Sequence, residues 1–260
     1  MPKWMQLLIG PAIALVLCGA FLSLFGEQTY YALMARYEAR ELPSVRNTPV
    51  ELADSSASRA PGQKLSYFGF EFEVPWQDID ETKSRVIGGK KAVVAFRSGN
   101  VLMVWRGSPH EFVDTVLKTS HIDPGTFRKM YGGEALASDY NFQRLMLDAT
   151  PDTITPFVSR KKAVCQELLL VVKGLSAPRG ADSGSFLVSS GEFKGFQFGR
   201  PSKALNGFSV ELYSTTDSLD FIFAPKRNGP TAISQADVNR IIETLHRVPS
   251  ETAANVTSVD

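Results

Sequence analysis

The sequence predicts an α+β protein: an N-terminal transmembrane helix followed by a soluble domain with a mostly antiparallel sheet packed against helices. Three observations predict it. An uncharged apolar run opens the chain, strands of period-two alternation fall in two groups, and capped helical segments lie between and after them.

Trp4 to Gly26 is an uncharged run of 23 residues between Lys3 and Glu27. As a helix it would measure about 34 Å, against a bilayer hydrocarbon core of about 30 Å. Trp4 at one end and Tyr30 and Tyr31 past the other suit the two interfaces. Gly10, Pro11 and Gly19 are tolerated in lipid. A cleaved signal peptide would have a shorter run and an Ala-x-Ala-like site, and Gly26-Glu27-Gln28-Thr29 offers none. A lipoprotein would need small residues before Cys18, where Leu17 stands. Residues 1–26 therefore read as the signal-anchor of a single-pass protein of the cell membrane, with the lipid bilayer as its first partner. Lys3 before the span, and Arg36 and Arg40 diluted by Glu27, Glu38 and Glu41 after it, favour a soluble domain on the extracytoplasmic side.

Residues 27–63 read as a helical extension and a flexible linker. Glu27 to Leu42 contains no helix breaker, Pro43 stops it, and Ser44 to Gln63 is rich in Pro, Gly, Ser and Asp. The soluble domain spans 64–248, and 249–260 is a polar tail of disordered composition.

Within the domain, Phe68, Phe70, Phe72 and Val74 alternate with Gly69, Glu71 and Glu73, the mark of a half-buried strand. Ala92–Arg97 and Val101–Arg106 flank Ser98-Gly99-Asn100 as a hairpin. Ser108 and Glu111 form a capping box that opens a helix to Ser120. Asp123-Pro124 and Ser138 start two more helices. Pro156–Leu175 is a longer helix, and its broad apolar face of Val158, Val164, Cys165, Leu168, Leu169, Val171 and Val172 predicts burial. Four strands follow at Ser185–Ser189, Phe193–Phe198, Phe208–Tyr213 and Leu219–Phe223, and Ser234–Arg247 closes the domain as a helix.

An internal echo links the two strand groups. Gly69-Phe70-Glu71-Phe72 and Pro75 recur as Gly195-Phe196-Gln197-Phe198 and Pro201, and Ser108 with Glu111 recurs as Ser234 with Asp237. The echo admits two related strand-strand-strand-helix units. The stretch Tyr67 to Pro75 also resembles the start of PsbP/Mog1-like domains, which implies an α+β sandwich around an antiparallel sheet. That resemblance covers one strand and the general order of elements and carries no functional residue across.

Composition narrows function. With 28 basic and 27 acidic residues the chain lacks the basic excess that phosphate binding uses, so nucleic acid is not an expected partner. Cys18 lies in the apolar run and Cys165 in a helix, which excludes a disulfide framework. His110-Glu111-Phe112-Val113-Asp114 lacks the second histidine of a zinc peptidase, since Asp114 stands in its place. No Gly-x-Ser-x-Gly elbow, dinucleotide fingerprint or phosphate loop occurs. Glu71 with Glu73 reads as a solvated pair, Cys165 as a core residue, and Arg160-Lys161-Lys162 as a solvated basic run. His246 reads as a favourable charge in the last turn of the closing helix.

No catalytic residue, cofactor-binding residue or metal ligand is therefore assigned. The expected function is that of a membrane-anchored binding or interaction domain, with a protein partner or an apolar ligand for its soluble part. The alternative is a small anchored hydrolase built on His110, His121 and Asp123.

Overall fold

The structure is a computed structural model that describes residues 3–38, 40, 43–52, 56–59, 61–120, 122–155, 157–176, 184–201, 207–225 and 233–248, without the side chains of 3–15, 22, 38 and 43. Its helices are α1 (Lys3–Glu38), α2 (Glu111–Thr119), α3 (Pro124–Tyr131), α4 (Asp139–Asp148), α5 (Arg160–Ser176) and α6 (Gln235–Thr244). The strands of the first half are β1 (Val50–Glu51), β2 (Gln63–Tyr67), β3 (Phe70–Val74), β4 (Arg85–Ile87), β5 (Lys91–Ala95) and β6 (Val101–Gly107). Those of the second half are β7 (Ser185–Ser190), β8 (Phe193–Phe198), β9 (Phe208–Tyr213), β10 (Ser218–Ala224) and β11 (His246–Arg247). The protein is α+β, and its sheets are antiparallel except where β1 runs parallel to β7.

Eight strands form one sheet in the order β1-β7-β8-β9-β10-β6-β5-β4, and β11-β3-β2 forms a second. Alternation along each strand gives the large sheet two buried faces. On one, Val94, Leu102, Val104, Val210, Leu212, Phe221 and Phe223 pack on the small sheet and α6. Phe72 of β3 meets Phe221 of β10 edge-on, with ring centroids 5.2 Å apart. On the other face, Phe196 and Phe198 pack under the helical layer with Phe127, Phe142, Met146 and Leu169. The result is three layers: helices α1 to α5, the large sheet, and the small sheet with α6.

Four expectations change in detail. The alternation around Phe70 is a hairpin, not one strand: Phe68 (φ 59°) and Gly69 (φ 83°) take the two left-handed positions of a tight turn between β2 and β3. The echoed glycines also serve different purposes. Gly69 sits in that turn, whereas a Cβ on Gly195 in the large sheet would meet the Glu211 carbonyl oxygen at 1.8 Å. The helices that follow the two strand groups, α2 and α6, cover opposite faces of the sheet. The broad apolar face of α5 is only partly buried: Val164 and Val171 are exposed, while Lys173 lies inside.

The fourth change concerns α1. Among the described residues no helix is long and apolar enough to cross a membrane. The described side chains of α1 begin at Val16, and after Gly26 the helix turns polar and joins the domain. Val16, Leu17 and Leu24 are exposed, whereas Ala32 and Ala35 are buried in the helical core against α5. Glu27 pairs with Arg160 at 2.6 Å and Phe25 meets the ring of Phe157 at 5.8 Å. Beyond α1, Val50 and Glu51 pair with Phe186 and Leu187, and Ser58 donates its N–H to the Ala236 carbonyl at 2.8 Å. These contacts dock parts of a stretch whose composition reads as a linker, because backbone pairing to a sheet edge needs no apolar sequence pattern.

Candidate functional site

The helical face of the large sheet is not uniformly apolar. Antiparallel register aligns Lys91, Trp105, Asp220, Glu211 and Phe196 in one row across β5, β6, β10, β9 and β8. Asp220 and Glu211 are direct cross-strand neighbours on one face, a placement that sets Cβ atoms about 5 Å apart. Tyr213 lies two residues beyond Glu211 on the same face. Helices α2 and α4 cover this row incompletely and leave a cavity of about 280 Å³.

Four carboxyl groups line that cavity: Glu111 from α2, Asp139 from α4, Glu211 from β9 and Asp220 from β10. Trp105, Phe112 and Tyr213 supply aromatic walls, and no lysine, arginine or histidine is among the lining residues. Glu211 accepts hydrogen bonds from the Gln143 amide and from the Tyr213 hydroxyl, the latter at 3.1 Å. The Gln143 side chain is 4% exposed, and its Oε1 has no hydrogen-bond partner among the described residues. Asp139 accepts from the Val113 N–H at 3.0 Å and so caps α2.

This environment disfavours charge. Burial pushes the Asp220 carboxyl well above the usual carboxylate range, and repulsion from Glu211 and Glu111 adds to it. Burial likewise raises Glu211, against the hydrogen bonds from Gln143 and Tyr213. Asp139 is raised by burial, against the Val113 and Phe112 N–H groups. The Tyr213 phenol is pushed well up by burial and by the Glu211 charge. The cavity therefore gathers four carboxyls whose charged forms are disfavoured, with no lysine, arginine or histidine among the described residues that line it.

The residues singled out by sequence lie elsewhere. His110 is exposed at the N-terminus of α2 with φ 61° and makes no side-chain cap. Only half of the expected box forms there, with the Ser108 N–H donating to Glu111 Oε2 at 3.0 Å. Asp123 is exposed and caps α3 by accepting from the Thr126 N–H at 2.7 Å. Neither lines the cavity, and His121 lies outside the described residues. Glu71 pairs with Lys64 at 3.1 Å and Glu73 with Arg240 at 2.5 Å. Cys165 is buried, which raises its thiol. His246 is exposed in β11, two residues beyond the end of the closing helix at Thr244 and not in its last turn. Among the described residues no three His, Cys, Asp or Glu side chains are grouped to hold a metal ion.

Sequence reasoning passed over Glu211 and Asp220. Each alternates with large apolar residues in Phe208–Tyr213 and Leu219–Phe223, the pattern of a solvated outer face. The helical layer covers that face instead, and the one available signal was the four helices between β6 and β7.

Comparison of the chain with protein-family models, with curated proteins and with solved structures finds no match in any of the three.

Proposed function

We propose that this chain is a membrane-anchored, extracytoplasmic binding domain that takes its ligand in the acidic cavity between β6, β9, β10, α2 and α4. The cavity carries the reading. Acidic groups with a purely structural role are normally neutralised, as Asp217 is by Arg106 and Arg247 at 2.6 Å each. Among the described residues the carboxyls of the cavity form no such ion pair, and they share it with aromatic walls, the usual composition of a recognition site. Carboxyls, a buried amide and aromatic walls are groups that hold a ligand, and the reading asks no more of them.

The anchor is supported by the uncharged run Trp4 to Gly26 and by its continuity with a helix whose described portion is exposed from Val16 to Phe21 and again at Leu24. Because α1 then packs on α5, the domain stands on its anchor without a free hinge, and its orientation to the bilayer is set by the α1–α5 contact. The basic residues Arg160 and Lys161 lie exposed beside Glu27, where anionic headgroups would meet them.

Two measurements test the proposal. The full-length protein should remain in membranes after carbonate washing, and a reporter fused after Asp260 should be active only on the outer side. Release by carbonate would contradict the anchor. For the cavity, a panel of small polar fragments is titrated into the full-length chain in nanodiscs while the indole N–H signals of Trp4, Trp76 and Trp105 are followed by NMR. At least one fragment should shift Trp105 selectively. A Trp105 signal unmoved by every fragment would remove the cavity as the binding site.

A further inference from the structure

We infer that the ligand of this cavity is a small organic cation carrying N–H donors, an amine or guanidinium compound. The inference rests on the cavity being a binding site and adds the chemistry of what enters it.

The hydrogen-bonding inventory points one way. One N–H of the Gln143 amide and the Tyr213 hydroxyl both donate to Glu211. Among the described residues, the one fully buried side-chain polar atom of the lining left without a partner is an acceptor. Gln143 Oε1 is buried without a partner, and Asp220 accepts no hydrogen bond among the described residues. A buried acceptor left open costs free energy that a donor-bearing ligand recovers. An anionic or acceptor-only ligand would leave Gln143 Oε1 unmet and would add repulsion to four carboxyls.

Charge and shape agree. Glu211 and Asp220 sit side by side, so one positive group placed between them relieves the repulsion of both at once. Trp105, Phe112 and Tyr213 line the same space, and aromatic faces attract cations within about 6 Å. At about 280 Å³ the cavity lies near the lower end of the size range of small-molecule sites, roughly 300–1,000 Å³. It suits a compact molecule of a few carbons.

The distinguishing experiment compares putrescine with 1,4-butanediol, which matches it in length but carries no charge. Each is titrated into the full-length chain in nanodiscs, with the Trp105 indole signal as readout. Putrescine should shift it saturably, butanediol at equal concentration should not, and Asp220→Asn should weaken putrescine at least tenfold with the fold intact by circular dichroism. A butanediol response equal to that of putrescine overturns the cationic class while leaving the cavity as a site. So does a Trp105 response confined to neutral members of the fragment panel. Putrescine binding unaltered by Asp220→Asn places the amine elsewhere and also overturns the inference. Silence of Trp105 toward putrescine and the whole panel removes the underlying site as well.

Discussion

Two aspartates three residues apart in one hairpin show how environment sets the role of a side chain. Asp217 is buried, which works against ionisation, but Thr216, Arg247 and Arg106 outweigh this and hold its carboxyl below the usual range. A depressed folded pKa adds stability that is present above the unfolded pKa and is lost as pH falls through the folded one. Asp217→Ala would remove an ion pair from Arg106 and from Arg247, but these are 43% and 37% exposed and keep the Phe68 carbonyl and Glu192 as partners, so the cost is less than for a fully buried pair. It should be about 2 kcal/mol in urea unfolding at neutral pH, shrinking in acid. Lys173 shows a third case. Its Nζ donates to the carbonyls of Leu147 and Ala149 at 2.7 and 2.8 Å, which satisfies the C-terminal end of α4. Lys173→Met leaves those carbonyls open and should cost about 1–3 kcal/mol by the same measurement. Burial lowers this amine from 10.5 to about 8, so the penalty for its buried charge fades as pH rises from about 8. The wild type should therefore gain on the variant as pH climbs from there towards 10.5.

At the level of elements, local chemistry decides where helices begin and packing decides what they cover. Ser234 and Asp237 form a complete capping box at α6, and Ser234→Ala should destabilise the protein by about 1 kcal/mol in thermal or urea unfolding. Ala32 and Ala35 are 1% and 4% exposed, and small side chains there let α1 lie close to α5. Ala32→Leu should overpack that contact and cost about 1–3 kcal/mol, while the reverse change at the neighbouring exposed position, Leu33→Ala, should do little. Most elements were readable because their signals are local: alternation in β6, β8, β9 and β10, and caps at Asp123, Ser138 and Ser234. The docking of β1 was not readable, since two residues pairing through their backbones leave no side-chain pattern. Burial of Lys173 was not readable either, because its partners are carbonyls of another helix.

At the scale of the molecule, a period-two pattern tells which residues share a sheet face but not what covers that face. Glu211 and Asp220 alternate like solvated residues, and only the helical layer turns them into the floor of a cavity. The unit that results is a three-layer domain with α1 built into one side and an acidic cavity opening between sheet and helices. A protein that keeps unneutralised carboxyls under its helices gives up stability there, as recognition sites commonly do. The proposal therefore stands on whether those carboxyls burden the fold. Raised folded pKa values mean that their burden is absent below the unfolded pKa and grows as pH rises through the folded values. The direct measurement is the unfolding free energy of Asp220→Asn against wild type from pH 4 to pH 8 without ligand. The account predicts a variant more stable at pH 8, by on the order of 1 kcal/mol, with the difference closing towards pH 4. A variant less stable than wild type across the whole range would contradict it and make Asp220 a structural residue.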